Sequence, residues 1–364
     1  MRRRAAALAV PFSAVLLAVS SCGSIPEDWR TPAFLQSDEE ELDERLPTVT
    51  GEVGEEPKVD FPNIKPPEEQ ISGVVKKGDG EGELVRSDDM LLANIVDYQW
   101  TAKGEYEKTQ STYDSGAPVI LELEQMGEEL TGDLVDQPVG SRVEFIFPPQ
   151  DPQEAAAMGQ PEPEPGSSVS IVDVEGRFGK GDTVEGEQTT DGGDGMPTAA
   201  DAGADEPEIE IPDSDPPEDL ESVNLIEGEG PEVEAEQQVV VQYTGVQWED
   251  SEQYDSGQVF DSTWSRGGAP ATFAIGAGQV IEGWDKGLVG QKVGSRVMLA
   301  VPGEMAYDGE EAQQGGQEPP QGPLVFVVDV LGAVDVTPPE EAAAQGDDEE
   351  SGGEGEEDGE GEDG

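Results

Sequence analysis

The chain has 364 residues, enough for two ordinary domains and connecting segments. Its 83 acidic residues against 19 basic ones give a formal charge of −64, and no basic run follows residue 4, which excludes the clustered positive charge a nucleic-acid binder needs. The absence of histidine removes His-based triads, His metal ligands and histidine pH switches. The single cysteine, Cys22, leaves no intrachain disulfide and no Cys zinc site, so neither a metal nor a cofactor is expected.

The chain begins with Arg2-Arg3-Arg4 and an apolar run from Ala5 to Val19. Basic start, apolar stretch and small residues before a cleavage point form a secretory signal. The run is about 15 residues, short of the ~20 that span a bilayer comfortably. Val19-Ser20-Ser21-Cys22 resembles a bacterial lipobox. That resemblance implies removal of residues 1–21 and a lipid on Cys22. The expected address is the extracytoplasmic face of the cell membrane, held through that lipid.

Residues 22–70 are rich in Pro, Glu and Asp without a sustained apolar period, and predict a disordered spacer. Residues 179–222 carry 15 Asp/Glu and a single lysine, Lys180, and predict a self-repelling disordered linker. Residues 336–364 predict a disordered acidic tail. Two compact windows remain, 71–178 and 223–335, and they read as a diverged duplication. Lys77-Gly78-Asp79-Gly80 parallels Glu227-Gly228-Glu229-Gly230. Asp97-Tyr98-Gln99-Trp100 parallels Gly245-Val246-Gln247-Trp248. Tyr113-Asp114-Ser115 is matched to Phe260-Asp261-Ser262, and Val139-Gly140-Ser141-Arg142-Val143 to Val293-Gly294-Ser295-Arg296-Val297.

The second window predicts a β-rich domain with one short helix. Val239 to Tyr243, Val297 to Val301 and Leu324 to Val330 are strand-like runs. Ile281, Trp284 and Leu288 fall at i, i+3 and i+7, one apolar face of a helix. A sheet carrying a helix on its face is an α+β domain.

Several short blocks stand in one order here: Val241-Gln242-Tyr243-Thr244-Gly245, Val259-Phe260-Asp261-Ser262, Gln279-Val280-Ile281-Glu282-Gly283-Trp284, Val293-Gly294-Ser295-Arg296, Val301-Pro302, Ala306-Tyr307, Pro319-Pro320 and Leu324 to Val330. The second window resembles the FKBP-type peptidyl-prolyl cis-trans isomerases over about 110 residues. The resemblance implies two half-barrels in this chain, each an antiparallel sheet of five or six strands wrapped around a short helix. It implies a pocket floored by Trp284. Its walls are Tyr243, Phe260, Phe273, Val280, Ile281, Tyr307 and Phe326; Asp261 is its polar member, with Arg266 as its partner. Two departures stand out: Ala271 after Pro270 where an aromatic is usual, and Glu318 before Pro319-Pro320 where an aliphatic is common. They bear on affinity for macrolide ligands and on the residue preferred before proline.

By the same alignment the first window lacks the slot, with Ile95 at the Tyr243 position, Leu130 at Trp284 and Gly127 at Ile281, while Tyr113-Asp114 is read as retained. The resemblance therefore implies one isomerase domain and one degenerate domain. The implied clients are proline-containing, unfolded or partly folded secreted proteins. The competing readings are a lipoprotein that holds client chains on the same fold without turnover, and one whose domains scaffold a surface complex.

Overall fold

The computed structural model describes residues 42–79, 83–153, 163–193, 195–200, 205–308 and 319–335. The signal segment 1–21, Cys22, Glu318 and the tail 336–364 lie outside the described residues. The first half contains β1 (Thr48–Thr50), β2 (Lys58–Asp60), β3 (Ile71–Lys76), β4 (Met90–Ala102), β5 (Glu105–Ser111), α1 (Thr112–Ser115), β6 (Val119–Glu122), α2 (Glu128–Thr131), β7 (Arg142–Phe147) and β8 (Ser167–Phe178). The second contains β9 (Thr198–Ala199), β10 (Ile209–Glu210), β11 (Glu221–Ile226), β12 (Gln237–Gln247), β13 (Val259–Ser262), β14 (Ala271–Ile275), α3 (Glu282–Leu288), β15 (Arg296–Val301) and β16 (Leu324–Asp335).

Each half builds a six-stranded antiparallel sheet with one topology. The orders are β3-β7-β8-β4-β5 with β6 on β4, and β11-β15-β16-β12-β13 with β14 on β12. The irregularities recur as well. The register slips between Val74 and Lys76 and between Asn224 and Ile226, and again between Leu92 and Ala93 and between Val240 and Val241. A bulge adds an unpaired residue and a local twist, so a shared set of bulges marks shared ancestry of backbone. Gly78 and Gly228 are needed for contact: a Cβ on either would stand 2.3 Å from the carbonyl oxygen of Val139 or Val293. Their amides donate to Ser141 Oγ (3.0 Å) and Ser295 Oγ (2.9 Å).

A one-sided sheet would alternate buried and exposed residues. The strands β15 and β16 do not: all of Arg296–Val301 and Leu324–Val330 is buried. The reason is a second layer. The inner face packs on α3 through Val241, Tyr243, Trp284, Leu288, Leu299, Phe326 and Val328. The outer face, including Val246, Trp248, Met298, Ala300, Val325 and Val327, packs on Met196, Ala199, Ile209 and Ile211. The last four belong to the hairpin β9–β10 and its flanks. In the first half, Leu46, Phe61 and Val59 cover Ile71, Trp100, Ile146 and Val169 in the same way.

These hairpins correct two expectations. Within the described residues, 42–70 and 179–222 are not structureless spacer and linker. They carry the straps β1–β2 and β10–β9, in one register: Val49 faces Val59 and Thr48 faces Asp60, as Ala199 faces Ile209 and Thr198 faces Glu210. The described repeat therefore runs from about Leu46 and Met196 rather than from 71 and 223, and Leu46-Pro47-Thr48 and Met196-Pro197-Thr198 are its shared opening.

A buried ion pair ties strap to sheet. Arg142 and Asp173 are 1% exposed, with Nε to Oδ1 at 2.5 Å and Nη2 to Oδ2 at 2.6 Å. The guanidinium also donates to the carbonyls of Gly51 (3.3 Å), Glu52 (3.0 Å) and Glu55 (3.0 Å) in the turn of the strap. Arg296 and Asp329 form the same pair in the second half, at 2.6 and 2.8 Å. Here the Val184 amide reaches Asp329 Oδ2 (3.4 Å).

Candidate functional site

On the inner face of the second sheet lies a cavity of about 700 Å³. Its floor is Trp284, placed by the first turn of α3, which starts just after Ile281, still extended, whose carbonyl accepts from the Trp284 amide (2.9 Å). Gly283 and Gly287 let that helix lie directly on the sheet, since a Cβ at either would stand 2.4 Å from Val301 and 2.8 Å from Leu299. Three rings stand edge-on to the indole: Tyr243 at 5.1 Å, Phe273 at 5.2 Å and Phe326 at 5.4 Å between centroids. Phe260, the extra residue of a bulge in β13, turns into the same space and meets Phe326 at 90°. Gly245 makes room for both rings, as its Cβ would stand 2.7 Å from Phe260 and 2.9 Å from Phe326.

The polar wall is a small network. The Tyr243 hydroxyl donates to Asp261 Oδ2 (2.5 Å), Arg266 Nη2 donates to that hydroxyl (3.0 Å), and Arg266 Nη1 pairs with Asp261 Oδ1. The guanidinium carbon sits 5.4 Å from the centre of the Tyr243 ring, within cation–π range. Burial first, and then the hydrogen bond to Asp261, hold the Tyr243 phenol well above its ordinary pKa, so it stays a donor. Burial raises the Tyr307 phenol too. Neither the Tyr307 hydroxyl nor the Ile281 amide has a hydrogen-bond partner among the described residues, and both line or border the cavity.

The structure thus brings Tyr243, Phe260, Asp261, Phe273, Val280, Ile281, Trp284, Tyr307 and Phe326 to one cavity, with Arg266 at its edge on Asp261. Ala271 lies on β14, packed against the inner core outside the lining. Sequence reasoning passed over Glu282, Asp285, Glu304 and Ala306, which also line it. They sit inside or beside the recognised blocks, so adjacency alone would have found them. Among the described residues no cluster of acidic or cysteine side chains could hold a metal ion.

Strand register gives the first half's counterparts without recourse to sequence similarity. From the shared Arg–Asp pair, Phe326 corresponds to Ser170 and Gly245 to Asp97. Trp284 corresponds to Leu130 and Ile281 to Gly127, whose carbonyls accept the matching helical amides. Tyr243 corresponds to Ile95: the amides of both donate to a threonine hydroxyl, Thr263 (3.0 Å) and Thr112 (2.9 Å).

That threonine corrects the alignment of Tyr113-Asp114 with Phe260-Asp261. Ser262 pairs with Thr244 and Ser111 with Val96, so Asp261 corresponds to Gln110 and the bulge residue Phe260 to Thr109. The earlier match is four residues out of step, drawn by a coincidental aromatic-Asp-Ser string. Tyr113 belongs to the next turn, where its hydroxyl donates to Asp173 (2.5 Å) on the strap side. The first half thus retains neither an aromatic nor the acid of the pocket wall. In their place Ser170 Oγ donates to Asp97 (2.5 Å), whose carboxyl burial pushes upward.

A family described as FKBP-type peptidyl-prolyl cis-trans isomerase matches residues 230–331, within the second domain. An FK506-binding protein of Streptomyces anulatus is 42% identical over 125 residues, covering 34% of this chain and 94% of that one. A Saccharomyces cerevisiae peptidyl-prolyl cis-trans isomerase is 44% identical over 93 residues, 26% of this chain and 62% of that one. The crystal structure of AtFKBP13 is 34% identical and covers 32% of this chain and 94% of that one, with a TM-score of 0.26. On its second domain, the chain belongs to the FKBP-type peptidyl-prolyl cis-trans isomerase family.

Proposed function

We propose that this protein catalyses cis–trans isomerisation of X–Pro bonds in its second domain, and that its first domain holds or spaces without turning over. The barrier to rotation is amide resonance, about 18–20 kcal/mol, and unaided exchange takes tens to hundreds of seconds. The planar amide is the more polar form, and the twisted transition state has lost that resonance. A dry aromatic slot therefore favours the twisted form relative to water, without a nucleophile or a metal. The floor formed by Trp284 receives the proline ring, and Tyr243, Phe260, Phe273 and Phe326 close round it. The Ile281 amide and the Tyr307 hydroxyl, both without another partner among the described residues, donate to substrate carbonyls and fix the chain while the bond turns. This is stronger binding of the transition state than of the ground state, with no covalent step.

The observation that carries the reading is the indole floor ringed by three edge-on aromatics beside the Tyr243–Asp261–Arg266 network. The experiment is isomerisation of a short proline peptide by the full chain, its Trp284→Ala variant and its Asp261→Ala variant. At least a tenfold loss of kcat/KM in Trp284→Ala, and a smaller loss in Asp261→Ala, is expected. Equal rates in all three would end the proposal. The same cavity is proposed to take an FK506-type macrolide, as its relatives' names suggest, and calorimetric titration of the full chain tests this.

We further propose a lipid-anchored location outside the cell membrane, with secreted proteins as clients. The support is Arg2-Arg3-Arg4, the apolar run Ala5–Val19 and Val19-Ser20-Ser21-Cys22. Metabolic labelling with a radioactive fatty acid should mark the wild type and not Cys22→Ala.

A further inference from the structure

We infer that the second-domain cavity selects prolyl segments carrying a lysine or arginine beside the proline. The inference rests on the isomerase reading and adds a substrate class to it. The hydrophobic part of the cavity recognises the proline ring; the mouth has a sign. Four carboxylates line it, Asp261, Glu282, Asp285 and Glu304, and no lysine or arginine does. Two of the four are matched from outside the lining, Asp261 by Arg266 and Glu282 by Lys286. Asp285 binds two loop amides, Gly276 at 2.7 Å and Gly278 at 2.8 Å, which orient its carboxylate but leave its charge uncompensated. Glu304 sits on the turn that leads into Ala306 and Tyr307; it is exposed and has no partner among the described residues.

Among the described residues of the second domain, no spare cation is left to neutralise them. Residues 223–335 hold four basic side chains against nineteen carboxylates. All four are engaged: Arg266 and Lys286 as above, Lys292 with Glu227, and Arg296 with Asp329 in the core. Low-dielectric aromatic walls concentrate the field of fixed charges at a cavity mouth, so a cation entering with the proline ring gains and an anion loses. At separations of several Å near a protein surface this amounts to about a three- to tenfold preference, reduced by salt.

The test uses the full chain and two proline peptide series, with Lys, Leu or Glu immediately before or immediately after the proline. kcat/KM is measured at low and at high ionic strength. Lys should exceed Glu by about three- to tenfold at low salt in at least one series, with Leu between and the ratio shrinking as salt rises. Glu304→Gln should narrow the ratio and Glu304→Lys abolish it. Turnover of the Leu peptide with equal Lys and Glu values, or a ratio that Glu304→Lys leaves alone, overturns the inference while sparing the isomerase reading. Absence of turnover of the Leu peptide overturns the isomerase reading instead. Calorimetric titration with the same peptides then decides the charge preference: tighter Lys than Glu binding sustains it, and equal binding or none ends it.

Discussion

The two domains share strand order, bulges, strap and buried Arg–Asp pair, yet among the described residues the aromatic walls of the cavity belong to the second and have no aromatic counterparts in register in the first. The comparison separates what the fold requires from what the pocket requires. Residues repeated in both halves, such as Gly78/Gly228, Ser141/Ser295 and Arg142/Arg296, hold strands, straps and turns together. Residues present only in the second half, such as Phe260, Asp261, Trp284 and Phe326, line the cavity. Helix approach follows the same line. Gly283 and Gly287 seat α3 against Val301 and Leu299, whereas the sequence carries Glu129 and Asp133 at the corresponding positions of the first half.

The largest effects should test what is shared. Arg142→Ala and Arg296→Ala each leave a buried aspartate unpaired and should destabilise their own domain by about 3–5 kcal/mol. Chemical denaturation of the full chain, followed by NMR signals of each half, should show one domain lost and the other retained in each variant. Simultaneous loss of both halves in either variant would break the picture of parallel units.

Glu144 sharpens the contrast from the opposite direction. It is fully buried on the strap side of β7, neither carboxyl oxygen has a hydrogen-bond partner among the described residues, and burial pushes its pKa up to about 8. Met298 occupies the same register position in the second half. Between the ordinary glutamate value of 4.5 and about 8 the folded domain holds a proton that the unfolded chain has released. Its stability is therefore highest below that window, falls as pH rises through it, and is level above it. Glu144→Met should flatten this slope and stabilise the first domain at pH 8 by about 4 kcal/mol, read from denaturation midpoints across pH. An unchanged slope would contradict the assignment.

Smaller effects address the helix seat and the strap. Gly283→Ala drives a methyl into Val301 and should cost about 1–3 kcal/mol along with isomerase activity. Thermal unfolding and the peptide assay check both. Glu206 reaches from the second strap to Thr244 Oγ1 (3.1 Å) and Ser262 Oγ (2.6 Å), the neighbours of Tyr243 and Asp261. Glu206→Ala should cost about 1–3 kcal/mol as measured by denaturation, since the Thr244 and Ser262 hydroxyls, 3.3 Å apart, can then donate only to each other and one of the two buried protons loses its acceptor.

The sheet, its helix and the cavity lining were legible because they reside in long, ordered signals: β-branched runs, Ile281/Trp284/Leu288 at helical spacing, and aromatic blocks in fixed order. The straps were not. A strand of two or three residues has no period, and Leu46, Val49, Phe61, Ala199 and Ile209 are single apolar residues among Pro, Glu and Asp. Their meaning depends on the uncovered outer face of a sheet that forms elsewhere in the chain. The Tyr113-Asp114-Ser115 mismatch has a related cause: a three-residue string outweighed register, and register is fixed by hydrogen bonding between strands distant in sequence. The acidic mouth of the cavity was readable residue by residue, but which carboxylates lack a cation is known only from the side-chain pairing.

The central claim is that one scaffold carries one working site. It is tested most directly by two-dimensional exchange NMR of a proline peptide with the full chain and with its Trp284→Ala/Asp261→Ala double variant, in which only the first domain keeps its native residues. The account predicts accelerated cis–trans exchange with the wild-type chain and the free peptide's rate with the variant. Acceleration that survives in the variant would place isomerase activity in the first domain and contradict the account.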